Sequence, residues 1–190
     1  MGMRINVLLD HDIYDYRDQS DVLARLEATT PATLAVRDYW NAASVASQPK
    51  SNDRWVADPV VPHERNYRSY TGPGSLFLKV GPHTAKIRTG GRWRGFLSIP
   101  PLHQVHLQAF RSIAEALGAT QLAYFPDDDD LYDVFYGGGS LSEGLAVLER
   151  DFGPPQPNIE AITSEVAEET EDHVPCVWYA ESLTGINKTC

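Results

Sequence analysis

Ile99-Pro-Pro-Leu-His-Gln-Val-His-Leu-Gln-Ala-Phe-Arg-Ser-Ile-Ala-Glu-Ala-Leu-Gly118, then Ala119-Thr-Gln-Leu-Ala-Tyr-Phe-Pro126, then Asp127 to Asp130, is the stretch whose reading decides the fold. Leu102, Val105, Ala109, Ile113 and Leu117 recur at steps of three and four, so they share one face of a helix, and that face must be buried. Pro101 suits the opening of such a helix and Gly118 its end. Gln121–Phe125 reads as a short strand. Pro126 and the aspartates stop it, because proline and clustered aspartate both disfavour continuing a ladder.

Outward from this stretch, Ile5, Val7 and Leu9 alternate with Arg4, Asn6 and Leu8, the pattern of a strand inside a sheet. Ser20 is placed to cap a helix through Ala28, and Thr30-Pro31 to start another through about Ala43, the two covering one sheet face. Residues 54–74 mix Trp55, Tyr67 and Tyr70 with prolines and glycines and fit no single period. Leu76–Val80, Ala85–Arg88 and Trp93–Ile99, separated by Gly81-Pro82 and Thr89-Gly90-Gly91, read as a three-stranded antiparallel meander. Ser140 and Glu143 form a capping box for a helix through Phe152, closed by Gly153-Pro154-Pro155. Ile159, Ile162 and Val166 indicate a further short helix. Cys176, Trp178 and Ala180 indicate a last strand, which Pro175 places at an edge. The expected fold is one α+β domain over residues 1–190, with a mixed or antiparallel sheet, helices mainly on one face, and a flexible tail from about residue 183.

Charge is unevenly placed. Residues 1–111 carry 14 Lys and Arg against 10 Asp and Glu, whereas residues 112–190 carry 2 against 16. A field of the latter sign disfavours nucleic acid and anionic membrane and favours a basic protein surface or a cation. Lys79, Lys86, Arg88, Arg92 and Arg94 on the meander form the one basic patch, expected to pair with the acidic half of the same molecule. With two cysteines, Cys176 and Cys190, no signal peptide and no apolar run of membrane-spanning length, the expected location is the cytoplasm.

Chemistry-bearing patterns are sparse. Asp10-His11-Asp12 follows the first strand, Ser98 ends the run Gly95-Phe96-Leu97, and Asp127-Asp128 follows a late strand. This order resembles the haloacid dehalogenase-like phosphohydrolases. The resemblance implies a nucleophile and an acid at Asp10 and Asp12 and Mg²⁺ on the carboxylates. The chain departs from that pattern at Tyr14, where Thr or Val is usual, and in having no lysine between Ser98 and Asp127. His103 and His106, three apart on the central helix, could share Zn²⁺ with a third ligand, but none stands at a telling spacing. Gly137-Gly138-Gly139-Ser140 precedes a helix without the lysine of a phosphate loop. The four aspartates miss the calcium-loop pattern at Leu131 and Tyr132.

What stands out is a run of thirteen residues, 124–136, in which five aspartates lie among five aromatic rings. Five like charges in one loop repel one another, so either a basic group of the meander neutralises them or the loop is kept for a partner. The expectation is a non-enzymatic protein that binds a basic protein through Tyr124, Asp127, Asp128, Asp129, Asp130, Tyr132, Asp133 and Tyr136. In composition it is similar to small immunity proteins that inhibit a cognate toxin. The alternative is an Mg²⁺-dependent, aspartate-based phosphohydrolase. No cofactor, nucleic-acid partner or membrane association is expected.

Overall fold

All five residues Ile5 to Leu9 are at most 1% exposed, so the strand they form, β1 (Arg4–Asp10), must be covered on both faces. The computed structural model, which describes residues 3–43, 52–60, 66–127, 129–158 and 177–183, places β1 between two antiparallel neighbours. In chain order the other strands are β2 (Val56–Ala57), β3 (Arg68–Gly72), β4 (Leu76–Val80), β5 (Thr84–Arg92), β6 (Gln121–Phe125) and β7 (Tyr179–Ser182). They form one antiparallel sheet in the order β2-β3-β4-β5-β1-β6-β7. The fold is α+β.

Two layers of helix cover this sheet. Ile5, Val7, Leu9, Leu78, Ile87 and Tyr124 face α1 (Gln19–Glu27), α2 (Thr30–Ala42), α3 (Trp93–Ser98) and α4 (Pro100–Ala116). Leu8, Ala123 and Phe125 face α5 (Asp129–Gly137) and α6 (Leu141–Phe152), which contribute Leu131, Phe135, Leu141 and Leu148. Gly144 lets α6 close on the sheet, since a Cβ there would overlap the Leu8 side chain. The Ser140–Glu143 capping box is present, with the Glu143 carboxylate accepting from Ser140 N at 2.6 Å.

Several elements differ from the sequence reading. Thr89-Gly90-Gly91 is not a turn. The strand runs on to Arg92, because Thr89 Oγ1 accepts from Gly91 N at 2.9 Å and Gly91 lets the Ile5 side chain approach closely. Trp93 N then donates to Met3 O, and residues 93–98 turn into helix with Trp93, Phe96 and Leu97 buried instead of forming a third strand. The meander is completed by β3, from the stretch without a clear period. Asp18, not Ser20, caps α1, accepting from Ser20 N and Asp21 N. The aspartate run leads directly into α5, where a loop was expected. The last strand begins at Tyr179 and lies at the sheet edge as read. The short helix expected at Ile159–Val166, together with Pro175, Cys176, Cys190 and the tail from residue 184, lies outside the described residues. No helix among the described residues is long and apolar enough to cross a membrane.

The buried stripe of α4 is wider than the spacing predicts. His106 sits in it, 0% exposed, between Trp40, Phe96 and Phe110. Both ring nitrogens are engaged, Nδ1 with Leu102 O at 2.8 Å and Nε2 with Thr89 Oγ1 at 3.2 Å. Burial pushes its pKa down to about 4 from 6.5. The unfolded chain therefore binds this proton first, and the neutral ring's contribution, complete above pH 6.5, is lost as pH falls towards 4. His11, lowered chiefly by burial, acts with the same sign. Between pH 7.5 and 4.5 the wild type is expected to lose roughly 2–3 kcal/mol more unfolding free energy than His106→Gln, read from urea titrations at the two pH values.

Candidate functional site

α5 carries two chemistries on two faces. Leu131 and Phe135, four residues apart, are buried against the sheet. Tyr132 and Tyr136, also four apart, reach over the cations of β4 and β5. Lys86, 4% exposed, places Nζ 3.2 Å from the centre of the Tyr132 ring. Lys79 Nζ donates to the Tyr136 hydroxyl at 3.0 Å and lies 4.3 Å from the Tyr67 ring centre. Burial raises the pKa of the Tyr132 hydroxyl, and the nearby Arg88 lowers it, with burial prevailing. Between α5 and strands β3–β5 the side chains of Ser69, Phe77, Lys79, Lys86, Arg88, Tyr132 and Tyr136, with Asp58, line a cavity of about 140 Å³.

Lys79 and Lys86 of the basic patch thus meet the acidic half of the molecule through tyrosine rings. Neither Lys79 nor Arg88 is in an ion pair among the described residues. The aspartates are used elsewhere or left in solvent. Asp127 accepts from Arg4 N at 3.0 Å and from the buried Asn6 Nδ2 at 2.9 Å, tying the end of β6 to the start of β1. Asp130 pairs with Arg150 of α6, which also holds Asp151. Asp133 is exposed. Asp128 and the side chain of Asp129 lie outside the described residues. Tyr124 belongs to the core: it is 0% exposed, stacks on Tyr179 at 5.6 Å and donates to Glu181 at 3.1 Å, so it presents no surface to a partner. Alternation places it on the α4 side of the sheet, away from α5.

The residues of the phosphohydrolase pattern are not brought together. Asp10 lies at the far end of β1 from Asp127, and the whole sheet is antiparallel where that enzyme fold needs parallel crossovers. The Asp10 carboxylate is occupied in securing the start of β6, accepting from Thr120 N at 2.8 Å, from Gln121 N at 2.9 Å and from the Thr120 hydroxyl. Asp12 pairs with Arg25 of α1. The Ser98 hydroxyl donates to Arg94 O in its own helix. His103 stacks on Phe96, and His106 is enclosed in the core. Among the described residues, no group of three or more His, Cys, Asp or Glu side chains is placed to share a metal ion. No family model, curated protein or solved structure matches the chain.

The cavity residues were visible in the sequence only as a basic strand pair. The signal for their aromatic cover is the spacing of Tyr132 and Tyr136, with Leu131 and Phe135 one residue ahead, which is helical. Two aspartates of the same run should respond differently to truncation. Asp127→Ala leaves the buried Asn6 amide short of its best acceptor and is expected to cost about 1–3 kcal/mol of unfolding free energy. Asp133→Ala is expected to stay within about 0.5 kcal/mol of wild type in the same denaturant titration.

Proposed function

We propose that this chain is a non-enzymatic binding protein that takes a basic protein partner on the outer, acidic face of the α5–α6 layer. The observation that carries this reading is how the sheet cations are matched. Lys79 and Lys86 are met by the rings of Tyr67, Tyr132 and Tyr136 and Lys79 also by the Tyr136 hydroxyl, while Arg88 lies over the Phe77 ring and near the Tyr132 hydroxyl. Asp133, Glu143 and Glu149 therefore remain on the outside with no basic side chain paired to them among the described residues. Residues 126–158 hold eight acids and one base, Arg150. Mutual repulsion of that kind is relieved when a basic surface docks, and such pairing sets association rate and specificity. The contact residues proposed are Asp130, Asp133 and Glu149. Asp127 serves the fold, and Tyr132 and Tyr136 act from beneath by holding the helix. An inhibitor of a basic toxin, of the immunity-protein kind, has this chemistry, and a cytoplasmic location accords with it.

Pull-down from the source lysate at low and high salt tests this, with wild type beside Asp130→Asn/Asp133→Asn/Glu149→Gln and a control, Asp15→Asn/Asp53→Asn, altered away from α5 and α6. One basic protein should be retained at low salt by wild type and control and lost by the triple variant. Equal recovery by all three would contradict the proposal.

A further inference from the structure

Between α5 and the sheet, the cavity of about 140 Å³ has strand residues for a floor and the rings of Tyr132 and Tyr136 for a roof. Strand pairing sets out the floor in two rows: Asp58, Ser69, Lys79 and Lys86 in one, Phe77 and Arg88 in the next. The lining is mainly apolar. Lys86 lies under the Tyr132 ring, and Lys79 donates to the Tyr136 hydroxyl, so these two lysines are engaged by the roof. Arg88 lies over Phe77, 5.9 Å from the ring centre. Phe77, 36% exposed, stands at the rim through which a guest enters. At the β2–β3 end, the Asp58 carboxylate accepts from the Thr71 hydroxyl at 2.9 Å, and Ser69 beside it adds a hydroxyl to the lining.

An apolar space walled by aromatic rings suits a flat apolar guest, because ring pairs gain energy beyond the area they bury. The volume is close to the roughly 150 Å³ that encloses a benzene molecule, which limits the guest to one ring. A full charge on it is disfavoured for either sign, since the lining is mainly apolar and holds Lys79 and Arg88 as well as Asp58. A hydroxyl carries no charge and both donates and accepts, so it suits a carboxylate and a serine side by side. We propose that this cavity binds a small uncharged phenol, its ring between Phe77 and the tyrosine roof and its hydroxyl beside Asp58 and Ser69. The site is independent of the acidic outer face: one faces the sheet and the other faces solvent.

Isothermal titration of the whole protein with phenol at neutral pH tests this. Cyclohexanol serves as the counterpart without an aromatic ring, toluene as the one without a hydroxyl, and benzoate and benzylamine as those with a charge of each sign. Phenol should bind saturably and one-to-one, and each counterpart about tenfold or more weakly. Phe77→Ala removes a wall and Ser69→Leu fills the space, so each should weaken phenol binding about tenfold or more, whereas Ile99→Ala, exposed and outside the cavity, should not. Thermal melting checks that each variant is folded, and amide shifts on adding phenol should centre on residues 69, 77–79 and 132–136. Absence of saturable phenol binding, a counterpart that binds as tightly, or binding that survives both cavity substitutions would overturn the proposal.

Discussion

A lysine that is 4% exposed in the interior of a sheet sets the terms for everything built on that face. Burying an ammonium is costly unless partners replace its water, and the face of an aromatic ring is one such partner, worth about 2 kcal/mol where solvent is excluded. Lys86 has the Tyr132 ring 3.2 Å from its Nζ and the Phe125 ring beyond it. That contact fixes the height and rotation of α5 over β5. Leu131 and Phe135 then fall into the apolar side of the same layer, and Tyr136 falls onto Lys79. Gly144 brings α6 against Leu8 beside it.

With α5 so placed, Asp133 is exposed, Asp130 turns to Arg150 of α6, and the carboxylates at the strand ends serve the sheet. Asp127 closes one end of β1 by holding Arg4 and Asn6, and Asp10 closes the other by holding Thr120 and Gln121. Asp10, a nucleophile under the phosphohydrolase resemblance, and Asp127, expected to face a partner, are therefore the fastenings of the central strand. The charge segregation of the chain survives folding for the same reason. Lys79, Lys86 and Arg88 end beneath α5, whose tyrosines cover them, and among the described acids Asp133, Glu143 and Glu149 end on the outside.

Much of this was legible beforehand. The period of α4, the alternation of β1 and the Ser140–Glu143 box are local signals, and each specifies its element without help from the rest of the chain. The misreadings share a cause. Gly90 and Gly91 resemble a turn until Ile5 is known to need the space, and His106 resembles a surface ligand until Trp40 and Phe110 close around it. Likewise Asp127 to Asp130 resemble one loop until Arg4, Asn6 and Arg150 claim two of them. In every case at least one deciding partner, Ile5, Trp40, Arg4, Asn6 or Arg150, lies on another element, beyond the reach of a local window.

The central claim is that Lys86 is held by the Tyr132 ring of α5 and Lys79 by Tyr67 and Tyr136, with Asp133 of the same helix left exposed. A double-mutant cycle on Lys86→Met and Tyr132→Leu, by urea unfolding of wild type, both single variants and the pair, measures it directly. A coupling energy of about 2 kcal/mol is predicted for a desolvated cation over a ring. Additive effects, with coupling below about 0.5 kcal/mol, would mean that Tyr132 contributes only apolar area and that Lys86 is satisfied by something other than α5.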